Sequence, residues 1–206
     1  YETTNDLLVN PIVKTTVFNK EVIDYNLLKD IVSRWSSSKK KMVLVGVHAP
    51  NRISQKWLNS LANDDSILVF TETTSNMNHP NFFPSIDKII SPLTSEEMEM
   101  LRPDILLTFG GLIVSKKIKA FLRKFQPKHH WHIDELKANN TFFCLEHHIK
   151  ISPNEFFDAI FQQSISPIIS NYKPMWNAVK RHRSEKHDSF LRSVPFSDLK
   201  VFDIII

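Results

Sequence analysis

Short continuous apolar runs alternate along this chain with stretches whose apolar residues recur at helical spacing, and that alternation limits the folds open to it. The runs are Met42-Val43-Leu44-Val45, Ile67-Leu68-Val69-Phe70 and Asp104-Ile105-Leu106-Leu107-Thr108-Phe109. They are too short for buried helices and lack the apolar–polar alternation of a half-exposed strand, so they suit strands covered on both faces. Residues 24–35 read as a helix capped by Asp24, with Leu27, Leu28, Ile31, Val32 and Trp35 turned inward. Residues 51–61 read as a second, carrying Ile53, Trp57, Leu58 and Leu61. Thr94-Ser95-Glu96-Glu97 has the form of a capping box, with Leu93 and Met98 placed as a hydrophobic staple and Pro103 closing the helix.

The pattern continues beyond the third run. Residues 115–125 read as a helix facing inward with Ile118, Phe121, Leu122 and Phe125. His130-Trp131-His132-Ile133-Asp134 reads as a fourth strand, and residues 141–145 as a further strand or extended segment. Ile86 to Ile90 is a short extra element after a polar loop over residues 71–81. Ser152-Pro153-Asn154-Glu155 opens a helix with Phe156, Phe157, Ile160 and Phe161, and a longer helix is expected over residues 171–192. Strands alternating with helices imply βαβ crossovers. The expected class is therefore α/β: a Rossmann-like, doubly wound, mainly parallel sheet with helices on both faces.

The chain has three glycines, Gly46, Gly110 and Gly111, and each follows an expected strand. Strand carboxyl ends are where open α/β sheets place their ligand crevice, and glycine there admits a ligand or another backbone at close range. No G-x-G-x-x-G or G-x-x-x-x-G-K-[ST] motif accompanies them, so no phosphate cradle is recognisable. Two rival readings stay open: a nucleotide- or FAD-binding module with a nonstandard site, and a nucleic-acid-binding domain. The second rests on Lys180, Arg181, Arg183 and Lys186 with His182 and His187, within a net charge of +4. Glu185 and Asp188 interleave with these cations, which favours a solvated helix and no nucleic acid. Lys39-Lys40-Lys41 reads as a solvated loop before a strand.

Other chemistry is sparse. His129, His130, His132, Cys144, His147 and His148 invite a metal, and His130 and His132 would share a strand face. No zinc spacing matches, and the expectation is polar decoration of a surface strand end. Asp134-Glu135 reads as loop solvation rather than an acid/base pair, and G-x-S-x-G and H-E-x-x-H are absent. The single cysteine excludes an intrachain disulfide and fits a reducing, cytoplasmic setting. No apolar run approaches the roughly 20 residues of a membrane span. The start at Tyr1 and the apolar end Val201-Phe202-Asp203-Ile204-Ile205-Ile206 read as an excerpt of a longer protein.

The most distinctive stretch is Leu101-Arg102-Pro103-Asp104-Ile105-Leu106-Leu107-Thr108-Phe109-Gly110-Gly111-Leu112-Ile113-Val114-Ser115-Lys116-Lys117. It joins a helix end, a strand, a glycine turn and a helix capped by Ser115. Lys116 and Lys117 fall in that helix's first turn, where the macrodipole disfavours cations by under about 1 kcal/mol each. They are either solvated or aimed at an anionic ligand over the sheet edge.

This stretch resembles the central domain of the 2-succinyl-5-enolpyruvyl-6-hydroxy-3-cyclohexene-1-carboxylate (SEPHCHC) synthase family of menaquinone biosynthesis. Tyr1-Glu2, Thr74-Ser75-Asn76, Trp131-His132-Ile133-Asp134 and Pro195-Phe196-Ser197-Asp198 resemble the family in the same order. The resemblance implies a linker over residues 1–20 from an N-terminal pyrimidine-binding domain. It implies a central domain over 21–192 and the start of a C-terminal diphosphate-binding domain over 193–206. It implies a transferase that uses thiamine diphosphate and Mg²⁺, held by the flanking domains and not by this one. That enzyme decarboxylates 2-oxoglutarate and adds the succinyl-semialdehyde carbanion to isochorismate, as a dimer or tetramer. No catalytic residue is expected here; the chain alone would be inert. The substrate-cleft candidates are Lys116, Lys117, Ser115, Gly110, Gly111, Ser75 and Asn76. The sequence departs from the family pattern at Thr108, where many relatives carry Arg, and near Ile113, where relatives tend to carry Pro, which leaves contacts at those positions open.

Overall fold

The computed structural model of the protein describes residues 23–163 and 168–205. The elements run α1 (Tyr25–Ser37), β1 (Lys41–Val45), α2 (Gln55–Asn63), β2 (Ile67–Thr71), α3 (Ile86–Ile90), α4 (Ser95–Leu101), β3 (Ile105–Phe109), α5 (Lys116–Lys124), β4 (His129–Ile133), β5 (His147–Ile149), α6 (Pro153–Phe161), α7 (Tyr172–Ser193) and α8 (Asp198–Ile205). The strands form one parallel sheet in the order β2-β1-β3-β4-β5. The linker expected over residues 1–20 lies outside the described residues.

The three central apolar runs are β1, β2 and β3, and every residue in them is buried. Alternate side chains enter two different cores. Val43, Val45, Val69, Leu107 and Trp131 pack with Ile31 and Trp35 of α1, Leu61 of α2 and Phe156 of α6. Met42, Leu44, Phe70 and Leu106 pack with Ile89 of α3, Phe121 of α5 and Trp176 of α7. Burying both faces demands uninterrupted apolar strands, which is why the runs show no alternation.

Local signals set the helix starts. Asp24 accepts the Leu27 amide at 3.0 Å. The boxes Thr94/Glu97 and Ser152/Glu155 close reciprocally. The structure departs from expectation at residues 141–145, at the start of α2 and at Lys41. Residues 141–145 form a turn, and the fifth strand comes later, at His147–Ile149. Asn140 accepts the Leu145 amide at 2.9 Å and Phe143 takes a left-handed φ of 62°, so the aromatic pair splits into a buried Phe142 and an exposed Phe143. The second helix begins at Gln55, because Asn51 is left-handed (φ 57°) and breaks the expected early turns. Lys41 is not solvated: it opens β1 at 1% exposure, with Nζ donating to the Trp35 carbonyl at 3.1 Å above the Trp35 ring. Its long stem lets it sit in the apolar layer while its head keeps a partner.

Candidate functional site at the carboxyl edge of the sheet

In a sheet of this order the connections diverge between β1 and β3, so the usual ligand crevice lies beyond their carboxyl ends. Here the crevice is shut by the chain's own backbone. Gly46 donates to the Phe109 carbonyl at 2.9 Å, Val47 to Leu112 at 3.1 Å, and Gly111 to Val47 at 2.7 Å. A Cβ on Gly46 would stand 2.2 Å from the Gly111 oxygen, and Gly110 needs its φ of 79°. The glycine is there for backbone against backbone.

The second closure is a carboxylate hydrogen-bonded to backbone amides. Glu72, at the end of β2, reaches the N-terminus of α5 and accepts the Val114 amide at 2.8 Å and the Ser115 amide at 2.6 Å. These are donors a phosphate would use, and a carboxylate already holds them. Ser115 caps α5 by accepting the Ile118 amide at 3.1 Å, and its hydroxyl donates to Asp87 of α3. A cleft of about 510 Å³ opens beside these groups, lined by Glu72, Asn76, Ser85, Asp87, Val114 and Ser115 among others.

The sequence candidates are thus distributed rather than gathered. Ser115 and Asn76 line this cleft, and Asn76 donates to the His48 carbonyl at 2.7 Å. Ser75 is fully buried, its hydroxyl donating to Val45 at 2.7 Å and accepting the Glu72 amide at 2.9 Å. Gly110 and Gly111 line a separate cavity of about 200 Å³ with Thr108, His132, Asp134 and Lys137. Lys116 and Lys117 are exposed and make no ion pair or hydrogen bond among the described residues.

Sequence reasoning missed the group behind that smaller cavity. Thr108 Oγ1 lies 3.0 Å from His130 Nε2 and 2.8 Å from His132 Nδ1. One hydroxyl serves both rings, donating to one and accepting from the other. His130 is 1% exposed, not surface decoration, and lies edge-on to Phe142. Burial pushes its pKa down to about 4, and burial also lowers that of His132, so both rings are neutral at pH 7. The shared strand face of His130 and His132 was the available signal; Thr108 joins them only through the β3–β4 register, which sets Thr108 beside His132. Among the described residues no three His, Cys, Asp or Glu side chains are placed to hold a metal ion.

A diphosphate does not fit this edge. Glu72 and Asp87 would repel it, and the α5 amides are taken. The same occupancy weighs against a nucleotide or FAD. On α7, Lys180 lies over the Phe83 ring and Arg183 donates to the Pro92 carbonyl, so part of the basic stretch is engaged in packing.

Residues 17–182 match the family described as the middle domain of thiamine pyrophosphate enzymes. Over 206 residues, 100% of this chain, it is 45% identical to the 2-succinyl-5-enolpyruvyl-6-hydroxy-3-cyclohexene-1-carboxylate synthase of Flavobacterium psychrophilum, of which it covers 37%. Synthases of the same name from Flavobacterium johnsoniae and Christiangramia forsetii are 40% and 42% identical over 210 residues, with 37% and 36% of their lengths covered. The chain therefore spans little more than a third of these relatives. No helix among the described residues is long and apolar enough to cross a membrane. A doubly covered parallel sheet, matched along most of its length by one sequence family, leaves a plain assignment: the chain belongs to the middle-domain family of thiamine pyrophosphate enzymes.

Proposed function

We propose that this chain is the central domain of a SEPHCHC synthase and that it lends Lys116, with Lys117 beside it, to a substrate cleft shared with neighbouring domains. The supporting observation is the uncommitted lysine pair at the carboxyl edge of a chain similar along its whole length to synthases of that name. An ammonium on a flexible stem attracts a carboxylate as a point charge. Both proposed substrates, 2-oxoglutarate and isochorismate, are anionic. Thiamine diphosphate, with Mg²⁺, would supply the decarboxylation chemistry from the flanking domains. The residues of this domain would bind and orient, and the full-length protein would work as a cytoplasmic dimer or tetramer.

The test uses the full-length protein with thiamine diphosphate, Mg²⁺, 2-oxoglutarate and isochorismate. Formation of SEPHCHC supports the assignment, and a fall in kcat/KM in Lys116→Ala with folding intact supports the role of Lys116. Failure to release CO₂ from 2-oxoglutarate overturns the assignment. Saturable binding of FAD or ADP to this domain would favour a cofactor module instead.

A further inference from the structure

We propose that Glu72 is a positioning residue for the lysine pair, with Asp87 as a second brace. This rests on the reading that Lys116 and Lys117 face an anionic substrate. α5 begins with two adjacent lysines and has no acidic residue in its first turn. That charge order opposes the helix dipole. Glu72 supplies the missing negative charge from a loop more than forty residues earlier, by accepting the Val114 and Ser115 amides.

The origin of this carboxylate matters. An acid inside α5 would neighbour the lysines at helical spacing and pair with them. Glu72 instead spends both oxygens on backbone amides: Oε1 takes Val114 at 3.0 Å and Ser115 at 2.6 Å, and Oε2 takes Val114 at 2.8 Å. Asp87 is engaged by the Ser115 hydroxyl. The helix start is offset electrostatically while both ammonium groups stay unpaired among the described residues.

Glu72 is itself anchored. Its amide donates to Ser75 Oγ at 2.9 Å, and that hydroxyl donates to Val45 at 2.7 Å, tying the loop to the end of β1. Asp87 belongs to α3, whose Ile86, Ile89 and Ile90 share an apolar cluster with Ile118 and Leu122 of α5. Two elements thus fix where the first turn of α5 points, through charge-assisted hydrogen bonds that are strong and directional.

The experiment is a kinetic cycle on the full-length protein: wild type, Glu72→Gln, the lysine pair replaced together (K116A/K117A), and the combination, with thermal melts of each. The lysine replacement is expected to raise KM for at least one substrate about tenfold, and Glu72→Gln to raise the same KM several-fold with kcat little changed. In the combined variant the Glu72→Gln effect on that KM should vanish, because its object is gone. Effects that multiply independently, or an unchanged KM in Glu72→Gln beside a raised KM in the lysine variant, overturn the proposal and leave the reading of the lysines standing. An unchanged KM for both substrates in the lysine variant removes that reading and this proposal with it. If Glu72→Gln does not fold, Asp87→Asn takes its place with the same outcomes.

Discussion

Glu72 and His130 serve the same sheet by opposite electrostatic means. At the β2–β1–β3 half of the carboxyl edge, carboxylates meet backbone amides and a hydroxyl, beside an open cleft. At the β3–β4 half, a buried threonine joins the buried His130 ring to the part-buried His132 ring. Glu72 is only partly buried, whereas His130 is 1% exposed. A charge can be kept where amides and solvent both solvate it; in the interior a neutral ring costs less, and His130 bonds Thr108 through Nε2 while its Nδ1 has no partner among the described residues. One half keeps charge at the rim of an open cleft, and the other ties two neighbouring strands together.

The largest loss is expected at Gly46, in the charged half. Gly46→Ala drives a methyl into the Gly111 oxygen and should cost about 3 kcal/mol or more in urea unfolding. A cost below about 1 kcal/mol would mean that the crevice is less firmly shut than its hydrogen bonds imply. On the neutral half, acid is the probe. The His130 pKa is held at about 4, below the roughly 6.5 of an unfolded histidine, so between those values the unfolded chain binds a proton that the folded chain refuses. The His130 share of stability should therefore be fully present above about pH 6.5, with about 3 kcal/mol of it lost as pH drops to about 4. Urea midpoints across this range should fall less steeply in His130→Phe; an unchanged slope would show that His130 does not carry the loss.

Thr108→Val keeps the shape and removes the hydroxyl that both rings use, so about 2 kcal/mol should be lost at pH 7, measured by the same urea unfolding. A neutral result would place the stability of that half in its apolar contacts alone. The smallest effect is expected at Gly111→Ala, where a Cβ would meet the Val47 side chain and oxygen at an ordinary 3.5 Å. It should stay within about 0.5 kcal/mol, and a larger loss would mean that the turn needs more than space.

What the sequence made legible follows the range of the interactions. Caps such as Thr94/Glu97 and Ser152/Glu155 act over three residues, and they stand in the structure as read. Doubly buried strands announce themselves through Val43, Val69 and Leu107 as unbroken apolar runs. The strand-end glycines pointed to a close approach but could not say what approaches. Glu72 gave no local sign, because its partners Val114 and Ser115 lie more than forty residues ahead and meet it only once β1, β2 and β3 have paired. Thr108 and His130 needed the β3–β4 register in the same way. Residues 141–145 misled because Phe142-Phe143 has strand composition, while the Asn140 side chain and the left-handed Phe143 make the turn. Lys41 misled because a run of three lysines looks wet, and only the neighbouring Trp35 shows where the last one goes.

The closed switch point carries a consequence for descent. A lineage of this domain drifting toward nucleotide binding would have to reopen the Gly46–Gly111 contact and also withdraw Glu72 from the α5 amides. Either change alone loosens the domain before any ligand is there to compensate, since most single substitutions at such contacts destabilise. Two interlocked losses with a delayed gain act as an evolutionary ratchet. Adaptation would then be freest at the exposed first turn of α5, where Lys116 and Lys117 can be exchanged without disturbing the lock behind them.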